Sequence, residues 1–355
     1  MEFCMGRVHF RGSRLGVTLL FGLLTSALAF AETPPVASEA GELKVTDPDV
    51  VQKAKDQLGV GFPDNYGDEQ CIPVSKDDPC LPTGFVQAVE RGEPYVTLWK
   101  AELLVEQGKA LGADKLLLDI DKKHPNTPKT LWLIAKNAYF RAEKMPEDAT
   151  EEKAAILERG FSFAERCVEL APKDINCLLH FGTLLGRVST NRGIISSAAN
   201  GDDVEDHWLR ALETKEHYRF PSANTSLGAV NYGLGIFYRL VPDSWIMSLL
   251  FGVRGDIGKA VKHLQAAMKT KADEVELYTE LVAASYCKAE RDDDDAALKL
   301  GHDYVKQCQT KPATSVLRKL SQSHCGKLRD NPGLGCGYSR DKQQETDAEK
   351  FKKKD

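Results

Sequence analysis

The sequence predicts an all-α fold: a solenoid of stacked helical hairpins with insertions, preceded by an irregular, disulfide-stapled segment. Three observations carry this. Between residues 96 and 330, apolar residues recur at helical spacing and strand-like alternation is almost absent. The helical stretches come in pairs broken by Gly, Pro, Asp and Asn. Small residues recur at matching places in successive pairs, where two helices would need to approach closely.

The chain starts with Arg7, Arg11 and Arg14, followed by the apolar run "LGVTLLFGLLTSALAFA" over 15–31, which ends small-x-small at Ala29-Phe30-Ala31. That pattern predicts a signal peptide over 1–31, cleaved before Glu32, and a periplasmic or secreted location. Loss of this segment takes the formal charge from −5 to −7, because it carries three Arg and one Glu. A mildly acidic chain lacks the basic patch a nucleic-acid partner would need. The longest later apolar run, "WIMSLLFGV" at 245–253, is shorter than the roughly 20 residues of a bilayer span. No transmembrane segment is therefore expected after cleavage.

Eight cysteines remain: Cys71, Cys80, Cys167, Cys177, Cys287, Cys308, Cys325 and Cys336. An even count in an exported chain points to disulfides. No Cys-x-x-Cys pair or Cys/His cluster has zinc spacing, so no metal is expected.

Residues 32–95 form an N-terminal extension. It is polar at first, with one short helical stretch within 47–59, then rich in Gly, Pro and Asp around "CIPVSKDDPC". The hairpins follow over 96–330. "GADKLLLDIDKKHP" supplies Ala113, Leu117, Ile120 and a closing Pro125; "TLWLIAKNAYF" supplies Leu131, Ile134 and Ala135. "ERGFSFAERCVELAP" gives Gly160, Ala164, Cys167 and Pro172, and "INCLLHFGTLLG" gives Leu178, Phe181, Gly182 and Leu185. "NYGLGIFYRL" contributes Leu234, Gly235 and Tyr238, and "GDIGKAVKHLQAAMKTKAD" contributes Ala260, Leu264 and Ala267. A further pair follows in "EVELYTELVAASYCKAE" and "DAALKLGHDYVKQC". About five such pairs in order match the tetratricopeptide unit of about 34 residues, with insertions of about ten residues in the second, third and fourth. From 331 to 355 a charged, flexible tail is expected.

Within this scheme "LLFGVRGDIGKAVKHL" at 249–264 is the entry to a second helix. It is not a phosphate loop, since Gly258-Lys259 is followed by Ala260 and no glycine stands at the required spacing. "RDDDD" at 291–295 lacks the spacing of a calcium loop and reads as a turn that starts the next helix. His180, His207, His217 and His263 are scattered, and His-Glu-x-x-His and Gly-x-Ser-x-Gly are absent. No enzyme and no cofactor is expected.

The segments "ERGFSFAERCVELAPKDINCLLHFGTLLGRVSTNRGIISSAAN" (158–200) and "LGIFYRLVPDSWIMSLLFG" (234–252) resemble the regulator of microtubule dynamics family of tetratricopeptide proteins. The resemblance covers about 126–270 and implies the helical scaffold, with a Gly-Ile insertion and a Trp-containing insertion ending in Phe-Gly. It also implies, as an alternative to a secreted scaffold, a microtubule-associated regulator. A further alternative is an accessory component of periplasmic solute uptake.

First helices of such repeats face a concave groove. The positions expected to line it and hold a protein or peptide partner are Lys129, Trp132, Lys136, Tyr139, Arg187, Tyr232 and Arg239. For the cysteines, Cys71–Cys80 and Cys167–Cys177 are expected as local bonds. If the last hairpin turns near Arg291, Cys287 and Cys308 lie roughly 18 Å apart along it, beyond the roughly 7 Å a disulfide tolerates. Cys287–Cys325 and Cys308–Cys336 are the expected pairs.

Overall fold

The computed structural model describes residues 49–50, 52–54, 71–72, 81–146, 149–215, 218–220, 224–270, 274–313 and 316–339. It is all-α apart from a minimal antiparallel ladder of β1 (Cys71–Ile72) and β2 (Leu81–Pro82). The proposed Cys71–Cys80 bond falls on Cys80, outside the described residues. The expected cleavage site lies outside them as well.

Helix α1 (Thr83–Arg91) occupies part of the stretch read as irregular. Its amphipathic face was hidden in sequence by the Pro and Gly on either side. It packs Phe85 against Trp99, ring centroids 4.7 Å apart, in a small core with Val86, Val89 and Val96.

Five helical hairpins follow. They are α2 (Tyr95–Glu106) with α3 (Ala110–Lys123), α4 (Pro128–Glu143) with α5 (Thr150–Leu170), and α6 (Ile175–Arg192) with α8 (Gly201–Glu213). Next come α9 (Ser226–Leu240) with α11 (Ile257–Thr270) and α12 (Val275–Asp292) with α13 (Asp295–Thr310). Helix α14 (Val316–Asp330) lies on α12 and α13. Two of the expected insertions are short helices, α7 (Ile194–Ala199) and α10 (Trp245–Phe251). The second hairpin has no extra helix, and α5 is long instead, at 21 residues.

Local chemistry sets the helix ends. Asp174 accepts backbone N–H bonds from Asn176 and Cys177 to start α6, Thr225 caps α9, and Asp294 caps α13 through Ala297. The acidic run at 291–295 is thus a helix start. Gly252 (φ 74°) closes α10 in the left-handed region, and Asp256 accepts from the Lys259 amide at the head of α11. This is the structural role of the Gly-Lys stretch.

Small residues let the paired helices meet. A Cβ on Gly160 of α5 would stand 2.5 Å from the Ala138 Cβ of α4, and one on Gly235 of α9 would stand 2.5 Å from Leu264 Cγ of α11. Leu117, Leu131, Leu178, Leu234, Leu264 and Leu281 are fully or almost fully buried in one continuous core running from α2 to α14.

Cys167–Cys177 joins the end of α5 to the start of α6, Cα atoms 5.3 Å apart. The other two expected pairings are corrected: Cys308 bonds Cys325 and Cys287 bonds Cys336. The cause is how α14 lies. It packs on both α12 and α13, which sets Cys325 at the end of α13 rather than beside Cys287. There Cys325 meets Cys308, Cα atoms 6.5 Å apart, with Thr279 Oγ1 of α12 3.2 Å from its sulfur. The chain after α14 then makes a 3₁₀ turn (Pro332–Leu334) and stays beside α12. Residues 331–339 therefore belong to the folded body, a correction to the flexible tail expected from 331.

Candidate functional site

The inner face is built from the first helices of the hairpins, α2, α4, α6, α9 and α12. The sequence placed seven partner-binding residues there, and the structure shows what each touches. Trp132 is only 2% exposed. Its ring lies 5.7 Å from His180, 5.3 Å from Tyr218 and 6.2 Å from Phe220. Tyr218 and Phe220 come from the connection between α8 and α9, which folds onto the inner face. An Arg219–Thr225 bridge and a Phe220 N–H bond to the Asn224 carbonyl shape this connection.

The Tyr218 hydroxyl donates to the Glu102 carboxylate (2.7 Å) and accepts from Lys129 Nζ (2.9 Å), which itself pairs with Glu102 at 3.2 Å. Lys136 is buried, ion-paired with Glu106, and sits 3.6 Å over the Phe220 ring. His180 is buried behind this layer. Desolvation, and secondarily Lys136, hold its imidazole well below its ordinary pKa. It is therefore neutral at physiological pH.

Further along, Arg187 pairs with Glu143, and Tyr139 and Tyr232 are half-buried, Tyr139 against Phe140. Arg239 is 1% exposed and bonded to Glu280 at 2.6 Å. It also donates to the backbone carbonyl of Tyr338 at 2.7 Å. Trp132, Lys136 and Arg239 are therefore internal packing and pairing residues, not open groove anchors. The physical reason is that the α8–α9 connection and the segment after α14 cover the face that an unembellished repeat array would leave open.

An exposed surface was missed. Helix α10 presents Trp245 (68% exposed), Leu249 (73%), Ile246 and Leu250, and Ile195 of the adjoining α7 extends the patch. Five large apolar side chains on two neighbouring short helices form a patch of the kind that marks interaction sites. The signal was present as the run "WIMSLLF", noted above only as too short to span a bilayer. At the base of α10, Asp243 pairs with Arg254 at 2.6 Å, so these charges offset one another. No single helix among the described residues is long and apolar enough to cross a membrane. No group of three or more metal-ligating side chains occurs among them either.

Fold and surface together define a helical-hairpin solenoid with a self-covered inner face and an exposed apolar patch on α7 and α10. The family model described as regulator of microtubule dynamics protein 1-3 matches residues 97–315, more than half of the 355-residue chain. The chain belongs to that family. Comparison with individual curated proteins gave no match.

Proposed function

We propose that the hairpins are tetratricopeptide repeats and that the chain is an exported, non-enzymatic scaffold binding a protein partner. The observation that carries this is the apolar prominence of Trp245, Ile246, Leu249, Leu250 and Ile195. Burying such side chains contributes about 1.5–3 kcal/mol each, which favours a cover. The charge-balanced Asp243–Arg254 pair beside it favours an apolar protein surface over an anionic one. The basic start, the apolar run to Ala31 and the cysteine content support export.

The test is a crosslinking pull-down from the native exported fraction with the wild-type chain and a Trp245→Ser/Leu249→Glu variant. The expected result is a partner captured by the wild type and lost in the variant, at unchanged melting temperature. A partner retained by the variant overturns the surface assigned here. Family membership favours a second reading, a microtubule-associated regulator. Co-sedimentation of the purified chain with polymerised microtubules decides it.

A further inference from the structure

We propose that residues 335–338 are a strap, latched by Cys287–Cys336, that closes the inner face at Arg239 and is opened by a dithiol reductant. This extends beyond the apolar patch on α7 and α10 and does not depend on any partner there.

The strap behaves as a built-in ligand. Arg239 donates to the Tyr338 carbonyl at 2.7 Å and to the Gly335 carbonyl at 3.4 Å, and its guanidinium lies 5.5 Å from the Tyr338 ring centroid. The Tyr338 hydroxyl meets His324 Nδ1 at 3.0 Å. Gly335 lies directly on α12: a Cβ there would stand 2.8 Å from the Ala283 carbonyl oxygen and 3.0 Å from the Cys287 amide nitrogen. The strap is a turn, with Gly335 at φ −57° and ψ −44°, that presents two backbone carbonyls to one arginine and one aromatic ring to His324. Beneath the strap, Arg239 keeps its bond to Glu280, so the site stays paired when the strap leaves. The vacated surface fits a peptide turn that offers carbonyl oxygens to Arg239 and an aromatic residue to His324.

The latch differs from the other bonds described. Cys167, Cys177, Cys308 and Cys325 are fully buried, as is Cys287, whereas Cys336 is half-buried. Attack is therefore directed to Cys336. A thiolate of the reductant bonds to Cys336 Sγ and expels Cys287 as a thiolate, which takes up a proton. The second thiol of the reductant then resolves the mixed disulfide. Cys336 leaves as a thiol and the reductant as its own disulfide, so two electrons and two protons have passed to the protein.

The experiment titrates the full mature chain with dithiothreitol, traps free thiols by alkylation and maps them by peptide mass. Chymotryptic cleavage after Tyr338 is followed in parallel. Cys287 and Cys336 are expected to be the first thiols released, with cleavage after Tyr338 accelerated about tenfold or more as the strap opens locally. Amide exchange in α9 and α12 should stay unchanged. Earlier opening of Cys308–Cys325 or Cys167–Cys177 overturns the latch. Unchanged cleavage after Tyr338 in the opened chain overturns the strap. A Cys287→Ser/Cys336→Ser variant gives a reductant-free arm: loss of protection throughout α12 would make the bond a structural staple and sink the proposal.

Discussion

His180 stacks on Trp132 with ring centroids 5.7 Å apart, and neither of its ring nitrogens has a hydrogen-bond partner among the described residues. A buried imidazole in that state can be held only as the neutral form.

The consequence is a pH dependence with a defined sign. The folded pKa of His180 is depressed below its ordinary value of 6.5, so the unfolded chain binds the extra proton first. Stability from this site is complete above that value and falls as pH drops below it, by about 1.4 kcal/mol per pH unit. Half-buried His263, also depressed by burial, adds in the same direction. In urea unfolding at pH 7 and pH 5, His180→Phe should lose part of the difference. It should also be more stable than wild type at pH 5 by about 1–2 kcal/mol. An unchanged pH slope would refute the assignment.

Arg239 and Glu280 form a buried ion pair, 1% and 6% exposed in their side chains. Removing one partner strands the other charge. Arg239→Met or Glu280→Met should each cost about 3–5 kcal/mol, and the double variant should recover much of that loss. Denaturant midpoints of the four proteins make the double-mutant cycle that reads the coupling.

Gly235 sits where α9 crosses α11, with Leu264 Cγ and the Ala260 carbonyl within 2.5 Å and 3.2 Å of an added Cβ. Gly235→Ala should cost about 1–3 kcal/mol through overpacking. Gly326 has open space around its Cα, so Gly326→Ala in α14 should gain up to about 1 kcal/mol from helix propensity. Thermal unfolding of the two variants separates the crossing effect from the propensity effect.

Cys308–Cys325 ties residues 17 apart in sequence. Replacing both by Ala should cost about 3 kcal/mol by the loop-entropy relation. A non-reducing peptide map should show Cys308 linked to Cys325 and Cys287 to Cys336. A Cys287–Cys325 peptide would contradict the described path after α14.

Exported material should start at Glu32, because Ala29 and Ala31 offer the small side chains a signal peptidase requires. N-terminal sequencing reads this directly, and retention of residues 1–31 on a membrane-bound chain would overturn it.

The sequence by itself determined the repeated part of this protein. Apolar spacing marked the buried face of each helix, and small residues such as Gly160 and Gly235 marked the crossings. The acidic run at 291–295 marked a helix start, because a cap such as Asp294 acts on an amide three residues away. The Cys167–Cys177 bond was legible for the same reason, lying across one tight turn. What covers the inner face was decided only by tertiary structure. Tyr218 reaches Glu102 across 116 residues, and Arg239 reaches Tyr338 across 99. No periodicity encodes such pairings, since they depend on where several helices of fixed length leave the chain. The path of α14 across α12 and α13 decided the last two disulfides. It brought Cys336 to Cys287 and laid the last described residues over a face that helix spacing alone left open.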